Sequence, residues 1–147
     1  MRAAAENKLP IVSRLITLRA RLDIQDENGS TALMLAVSAN ATDCVCALAQ
    51  ANADLEAKNL KGENCLHIAA AQDRAQCIEI LHISRANLES TDADGRTPLA
   101  IAAPMNHIAS VKYLLSAGSS FENLKVDRDS ASHALLETAA KMRKEPG

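Results

Sequence analysis

Asp92–Ala103 reads DADGRTPLAIAA. A similar stretch stands 33 residues earlier, NLKGENCLHIAA (Asn59–Ala70), and another 33 before that, DENGSTALMLAV (Asp26–Val37). Gly29, Gly62 and Gly95 share one place in this register, and so do Leu33, Leu66 and Leu99, and Ala36, Ala69 and Ala102. Further along, Val12, Val45, Ile78 and Val111 recur, as do Leu15, Leu48, Leu81 and Leu114. Ala20, Ala53, Ala86 and Ser119 continue the pattern, then Leu22, Leu55, Leu88 and Phe121. Chance does not align so many positions, so the chain is built from copies of one unit.

Each place in the unit has a physical reason. Thr31, Asn64, Thr97 and Ser130 occupy one slot, and all four are good helix N-caps. The next slot holds Ala32, Cys65, Pro98 and Ala131; proline fits there because the first helical residue needs no amide donor. The glycines precede the caps by two residues, where a tight turn wants positive φ. A helix then runs to Asn40, Asp73 and Asn106, with Asn7 in the same slot. Asn and Asp tolerate the left-handed conformation that ends a helix, which predicts a turn there. A second helix follows, with apolar residues at 45, 48 and 49 and again at 111, 114 and 115, the spacing of one buried face. Asn52 and Gly118 mark its end, and an extended arm leads to the next glycine. One unit cannot bury both apolar helix faces, whereas stacked copies share a continuous core.

The run DADGRTPLAIAA resembles the signature of the ankyrin repeat, D-x-x-G-x-T-P-L-H-x-A-A within 33 residues. The resemblance implies an all-α solenoid of stacked helix-turn-helix units with projecting β-hairpin or loop arms. Residues 1–147 are expected to form one domain. It divides into whole repeats at Asp26–Lys58, Asn59–Thr91 and Asp92–Leu124, a partial repeat at 1–25 and a degenerate capping repeat at 125–147. The first copy matches only from mid-helix, with Ala3 and Ala4 in the slots of Ala102 and Ala103. Such a start points to an incomplete capping repeat or to a piece of a longer protein. In the last copy Arg128 replaces the glycine, Ser132 the leucine and Leu135 the alanine, and Ala139 stands where the inter-helix turn belongs. One unbroken helix from about Ser130 to Lys144 is expected to close that end.

Composition narrows the function. The chain has 147 residues and a formal charge of −2, too balanced to draw it to nucleic acid or anionic lipid. Tyr113 and Phe121 are the only aromatic residues, so base stacking is almost unavailable. No apolar run approaches the roughly 20 residues that span a bilayer, and the N-terminus lacks the apolar core of a secretory signal. The four cysteines suit a reducing compartment. These features predict an intracellular protein, cytoplasmic or nuclear, with no nucleic-acid partner and no membrane insertion.

Cys65-Leu66-His67 is a Cys-x-His pair that could belong to a metal or thiol site. A zinc site needs four converging ligands, and the repeats bring no others near. The resemblance gives His67 a structural role instead, bonding backbone of the adjoining turn, with His133 in the matching position. Cys65 at a helix N-terminus remains a candidate redox-sensitive thiol, since such a position can lower a thiol pKa. Cys44 and Cys77 share a slot in adjacent outer helices about 8–10 Å apart, beyond ordinary disulfide reach, so both are assigned to packing. Cys46 is expected at the outer surface. His82 occupies a core slot filled elsewhere by Ile16, Ala49 and Leu115. A neutral, hydrogen-bonded histidine is expected there, with Ile83 beside it as a substitute for the buried position. Pro104 removes an amide near the end of a first helix, which should end early or bend. Arg14, Arg19 and Arg21 cluster at a helix end, which suits the helix dipole as well as an acidic partner.

No phosphate loop, nucleophile elbow, paired carboxylates or metal set stands out, so no catalytic residue, cofactor or metal is expected. The resemblance implies a protein-interaction module in which arm tips and inner helices contact the partner. Mapped onto this chain, the candidate contacts are Glu27, Asn28 and Ser30, then Leu60, Lys61 and Glu63, then Ala93, Asp94 and Arg96, with Gln72 and Met105 from the inner helices. These slots vary between copies while their neighbours are held constant for packing. Mixed charge with a few apolar anchors suits a protein partner bound by a monomer. The alternative is a regulatory or targeting segment of a larger multidomain enzyme or channel.

Overall fold

A computed structural model describes residues 1–122, 124 and 126–144. Residues 123, 125 and 145–147, which fall at the end of the third whole repeat and within the capping repeat, lie outside the described residues. The described chain forms helices α1 (Arg2–Ala5), α2 (Leu9–Thr17), α3 (Ala32–Ser38), α4 (Thr42–Gln50), α5 (Cys65–Ala71), α6 (Ala75–Ile83), α7 (Pro98–Ala102), α8 (Ile108–Ser116) and α9 (Ala131–Lys144). Consecutive helices pair as hairpins. The first helices α1, α3, α5 and α7 pack side by side in one row, and α2, α4, α6 and α8 in another.

The caps act as the slots require. Thr31 accepts from the Met34 amide and Thr97 from the Ala100 amide. Asn64 accepts from both Leu66 and His67, and Ser130 Oγ takes the His133 amide at 3.1 Å. Asn7, Asn40, Asp73 and Asn106 all hold positive φ between the paired helices. Leu33, Leu66 and Leu99 are buried at 1%, 0% and 0% exposure, lined up through successive layers. Cys44 and Cys77 are buried and free, and each thiol donates to the Asn of the preceding copy, Asn7 or Asn40. In the third copy Ser110 takes over this place, and its hydroxyl donates to Asp73 at 2.7 Å. Cys46 is half-buried.

Two ladders tie each arm to the next. Asp23, Glu56 and Glu89 recur every 33 residues and accept the amides of Asp54, Asn87 and Ser120, each 31 residues on, at 2.8–2.9 Å. Gln25 and Lys58 donate to the carbonyls of Lys58 and Thr91, each 33 residues on.

Of the two arm forms expected, β-hairpin or loop, the arms take the loop: no residue among those described is in a strand. Each tip is closed by two backbone bonds within five residues, such as Asn59 N–H to the Glu63 carbonyl and Gly62 N–H to the Asn59 carbonyl, too short a pairing to extend into a ladder. Two expectations need correction. Ile83 does not replace His82 in the core, since it is 70% exposed. His82 stays in its slot half-buried because Tyr113 of the next outer helix offers its ring nitrogen a hydroxyl at 3.1 Å. His133 does not repeat the bonding of His67; it pairs with Glu137 of its own helix at 3.3 Å.

The two proline and capping expectations hold. Helix α7 ends at Ala102, two residues short of the corresponding places in α3 and α5, just before Pro104. α9 runs unbroken from Ala131 to Lys144 and packs on α8, with Leu136 and Ser132 buried and Ser132 bonded to Asn106 in the turn before α8.

Candidate protein-binding surface

The arm tips are built by one repeated device. The side chain of Asp26, Asn59 or Asp92 accepts the amides two and four residues later, which folds the chain back on itself. The glycine inside each loop has φ of 74° or 75°. At Gly62 a Cβ would stand 2.6 Å from the Ala93 amide nitrogen, and at Gly29 it would stand 2.9 Å from that of Leu60. Glycine therefore lets successive tips touch, and the Leu60 amide donates to the Asn28 carbonyl across that contact at 3.1 Å. The tips form a continuous row.

Most candidate contacts are free to meet a partner. Glu27, Asn28, Leu60, Lys61, Gln72, Ala93, Asp94 and Met105 are exposed, with Leu60 at 79% and Met105 at 53%. Gln72 is joined to Ser38 of the preceding inner helix at 3.1 Å, so inner-helix ends of neighbouring copies also meet. Ser30 and Glu63 are half-buried; Glu63 accepts from Asn59 within its own turn at 3.0 Å. Arg96 has a double attachment. Its guanidinium holds the enclosed Asp92 carboxylate at 2.8 Å and exposed Asp94 at 3.0 Å. Burial works against the Asp92 carboxylate, but the Arg96 and Asp94 amides and the Arg96 side chain together keep its pKa below the usual value. Arg96 is thus partly a brace for its own loop.

Behind the tips lies a buried polar knot that slot matching did not reveal. Asn64 is fully enclosed and donates to Glu56 at 3.0 Å and to Ser90 at 2.8 Å while capping α5. His67 Nε2 donates to the Arg96 carbonyl at 3.0 Å, and its Nδ1 accepts from the Asn64 amide at 3.3 Å. The Asn64 side-chain oxygen stands 2.7 Å from the same Nδ1, a contact that becomes a hydrogen bond when Nδ1 carries a proton, and only a protonated ring can make it while Nε2 still donates to Arg96. Burial outweighs that opportunity and lowers the His67 pKa, against opposing pulls from the Arg96 carbonyl and Asp92. The knot ties the inner helix to the arms on both sides of it. The signal for Glu56 was present in the sequence, since Asp23 and Glu89 share its slot.

The redox expectation at Cys65 is overturned. Its thiol is fully buried, and burial, followed by the fields of Glu56 and Asp54, pushes its pKa far above the ordinary value. The helix amides do not compensate for the lost solvent, so this thiol is inert. Among the described residues no group of three or more His, Cys, Asp or Glu side chains is placed to hold a metal ion. No helix among them is long and apolar enough to cross a membrane.

A family model described as ankyrin repeats (3 copies) matches the chain over residues 1–92 and again over 47–125. No curated protein matches it.

Proposed function

The chain belongs to the ankyrin-repeat family, and from that premise we propose that it is a non-enzymatic module that grips one protein partner along its row of arm tips and inner-helix ends. Ankyrin repeats generally serve protein–protein interaction. One observation carries the finer reading. The exposed slots differ from copy to copy, as in Glu27, Leu60 and Ala93, while the slots directly behind them repeat and are buried. Such a surface can read a partner without disturbing the frame. Three touching tips suit a standard interface of roughly 800 Å² per side. Leu60 and Met105 supply apolar anchors, and Lys61 and Asp94 supply opposite charges beside them. Four free thiols suit a reducing intracellular compartment, cytoplasm or nucleus, and the reading takes the protein as a monomer.

The test compares proteins captured from cell lysate by the native chain and by a variant carrying Leu60→Ser, Lys61→Glu, Asp94→Lys and Met105→Ser. Arg96 is left intact because reversing it would also break the Asp92 brace. A specific set of captured proteins should fall about ten-fold or more while the melting temperature stays put. Equal capture by both chains would remove this surface from consideration.

A further inference from the structure

We propose that the first arm tip is a self-modification site: the Asn28 side chain closes on the Gly29 amide, is converted to isoaspartate, and thereby undoes the contact between the first and second arms. Asn28 is the only asparagine in the chain that is followed by glycine. It is exposed, and its backbone amide is held by Asp26 at 2.9 Å. Among the described residues no hydrogen bond reaches its side chain, so Cγ is free to turn. The other asparagines differ on both counts. Asn7, Asn40, Asn59, Asn64, Asn87 and Asn106 each have the side-chain oxygen engaged, and none precedes a glycine. A side chain on the following residue crowds ring closure, and Gly29 has none.

The chemistry needs only water. The Gly29 nitrogen attacks Asn28 Cγ; an N–C bond forms and the Cγ–Nδ2 bond breaks. The side-chain nitrogen leaves as ammonia with the proton that Gly29 gives up. Water then opens the resulting succinimide at either carbonyl. Opening at the former side-chain carbonyl gives aspartate. Opening at the main-chain carbonyl gives isoaspartate, in which the chain runs on through the former side chain. Nothing is oxidised or reduced.

The fold restrains this reaction and sets its consequence. Gly29 is buried against Leu60, and its amide donates to the Asp26 carbonyl at 2.9 Å. Ring closure therefore waits for the tip to open. The bonds that close the tip lie within five residues, so that opening is local rather than global. The other tips are less suited. Lys61 precedes the glycine of the middle one. Asp94 precedes that of the third, but its carboxylate is paired with Arg96 at 3.0 Å, and an ionised carboxylate is a poor electrophile. At the first tip, the Asn28 carbonyl accepts the Leu60 amide at 3.1 Å. In isoaspartate that carbonyl becomes a free carboxylate off the line of the chain, and one extra backbone atom enters the turn from Asp26 to Ser30. The turn loses the spacing of its two bonds, and the acceptor moves away from Leu60. The row of tips then parts between its first and second members.

The experiment incubates the folded 147-residue chain at mildly alkaline pH. Peptide mapping by mass spectrometry follows the replacement of NH2 by OH, and enzymatic methylation from labelled S-adenosylmethionine counts isoaspartyl carboxylates. Asn28 should be converted while the other eight asparagines are retained. In the purified isoaspartyl form the Leu60 amide should exchange with solvent about ten-fold faster or more by NMR. Asn28→Asp, which carries the new charge without the extra backbone atom, should keep the Leu60 amide protected. Asn28→Gln, whose longer side chain would have to close a six-membered ring, should give no methylation at this tip. Circular dichroism with a melting curve checks that each form keeps its fold. The proposal is overturned if conversion occurs only in the urea-unfolded chain, or if other asparagines react as fast as Asn28. It is also overturned if Leu60 exchange is unchanged in the isoaspartyl form, or rises equally in Asn28→Asp. None of these readouts depends on the tips binding a partner.

Discussion

Leu81 and Leu15 occupy the same place in two copies of one unit, yet Leu81 is fully buried and Leu15 is 41% exposed. The middle copy, Asn59–Thr91, has a neighbour on each side; the first copy, residues 1–25, has one. Burial in this molecule is therefore conferred by the adjoining copy rather than by the residue, as expected when stability is a sum of unit and interface terms. Identical side chains should then differ sharply in worth.

The largest difference should appear on truncation. Leu66→Ala in the middle copy should cost about 2–5 kcal/mol in urea denaturation, a severe loss against a total of roughly 5–15 kcal/mol. Leu15→Ala should cost under about 1 kcal/mol, since much of the side chain already meets water. Equal costs would break the nearest-neighbour picture. A finer contrast lies in the loops. Gly62→Ala and Gly95→Ala share a left-handed penalty of about 1–2 kcal/mol, because both glycines have nearly the same φ. Only at Gly62 does the added methyl strike the next arm, whereas at Gly95 it meets nothing within 4 Å. Thermal melting should place Gly62→Ala lower by the equivalent of about 1–3 kcal/mol.

The smallest effect concerns acid. The folded His67 ring holds a pKa below its ordinary 6.5 because it is buried. Between those two values the unfolded chain binds a proton that the folded chain does not, so stability rises with pH across the window. The contribution of His67 is complete above about pH 6.5 and is lost as pH falls toward the folded pKa. Met34 fills the same slot one copy earlier. His67→Met should therefore flatten this part of a pH–stability profile measured in urea. An unchanged slope would assign the acid sensitivity to other groups.

The frame of the molecule was legible because its determinants are local and recur. A capping Thr or Asn, a Gly two residues before it and an Asn or Asp between helices each act within one turn of chain, and 33-residue recurrence confirms them. The unbroken α9 was legible for the same reason, since Ala131–Lys144 carries no breaker. The Asn64–His67–Glu56–Ser90 knot was not, because it joins opposite ends of one copy, Asn64 and Ser90, to Glu56 of the copy before and the Arg96 carbonyl of the copy after, at separations that slot matching does not pair. His82 was half legible: its slot marked it for the core, but only the position of Tyr113 shows why it stays there in preference to Ile83. Nor could the slots show that Arg96 divides its charge between solvent and its own loop, since that depends on where Asp92 is buried. The exposure of Ile11 and Leu15 was not legible either, because their slots are those of buried residues in later copies and burial depends on what packs against α2.

The carboxylate ladder of Asp23, Glu56 and Glu89 joins every arm to its successor through a bond of constant sequence separation. A duplicated or deleted block of one full period would hand each of these bonds to a new residue in the same relative place. A lone inserted residue within an arm would shift the one bond that spans it from a separation of 31 residues and leave the other two as they are. A change of length by whole periods therefore keeps this ladder intact, whereas a change of any other size inside a span has to be absorbed by the loop it falls in.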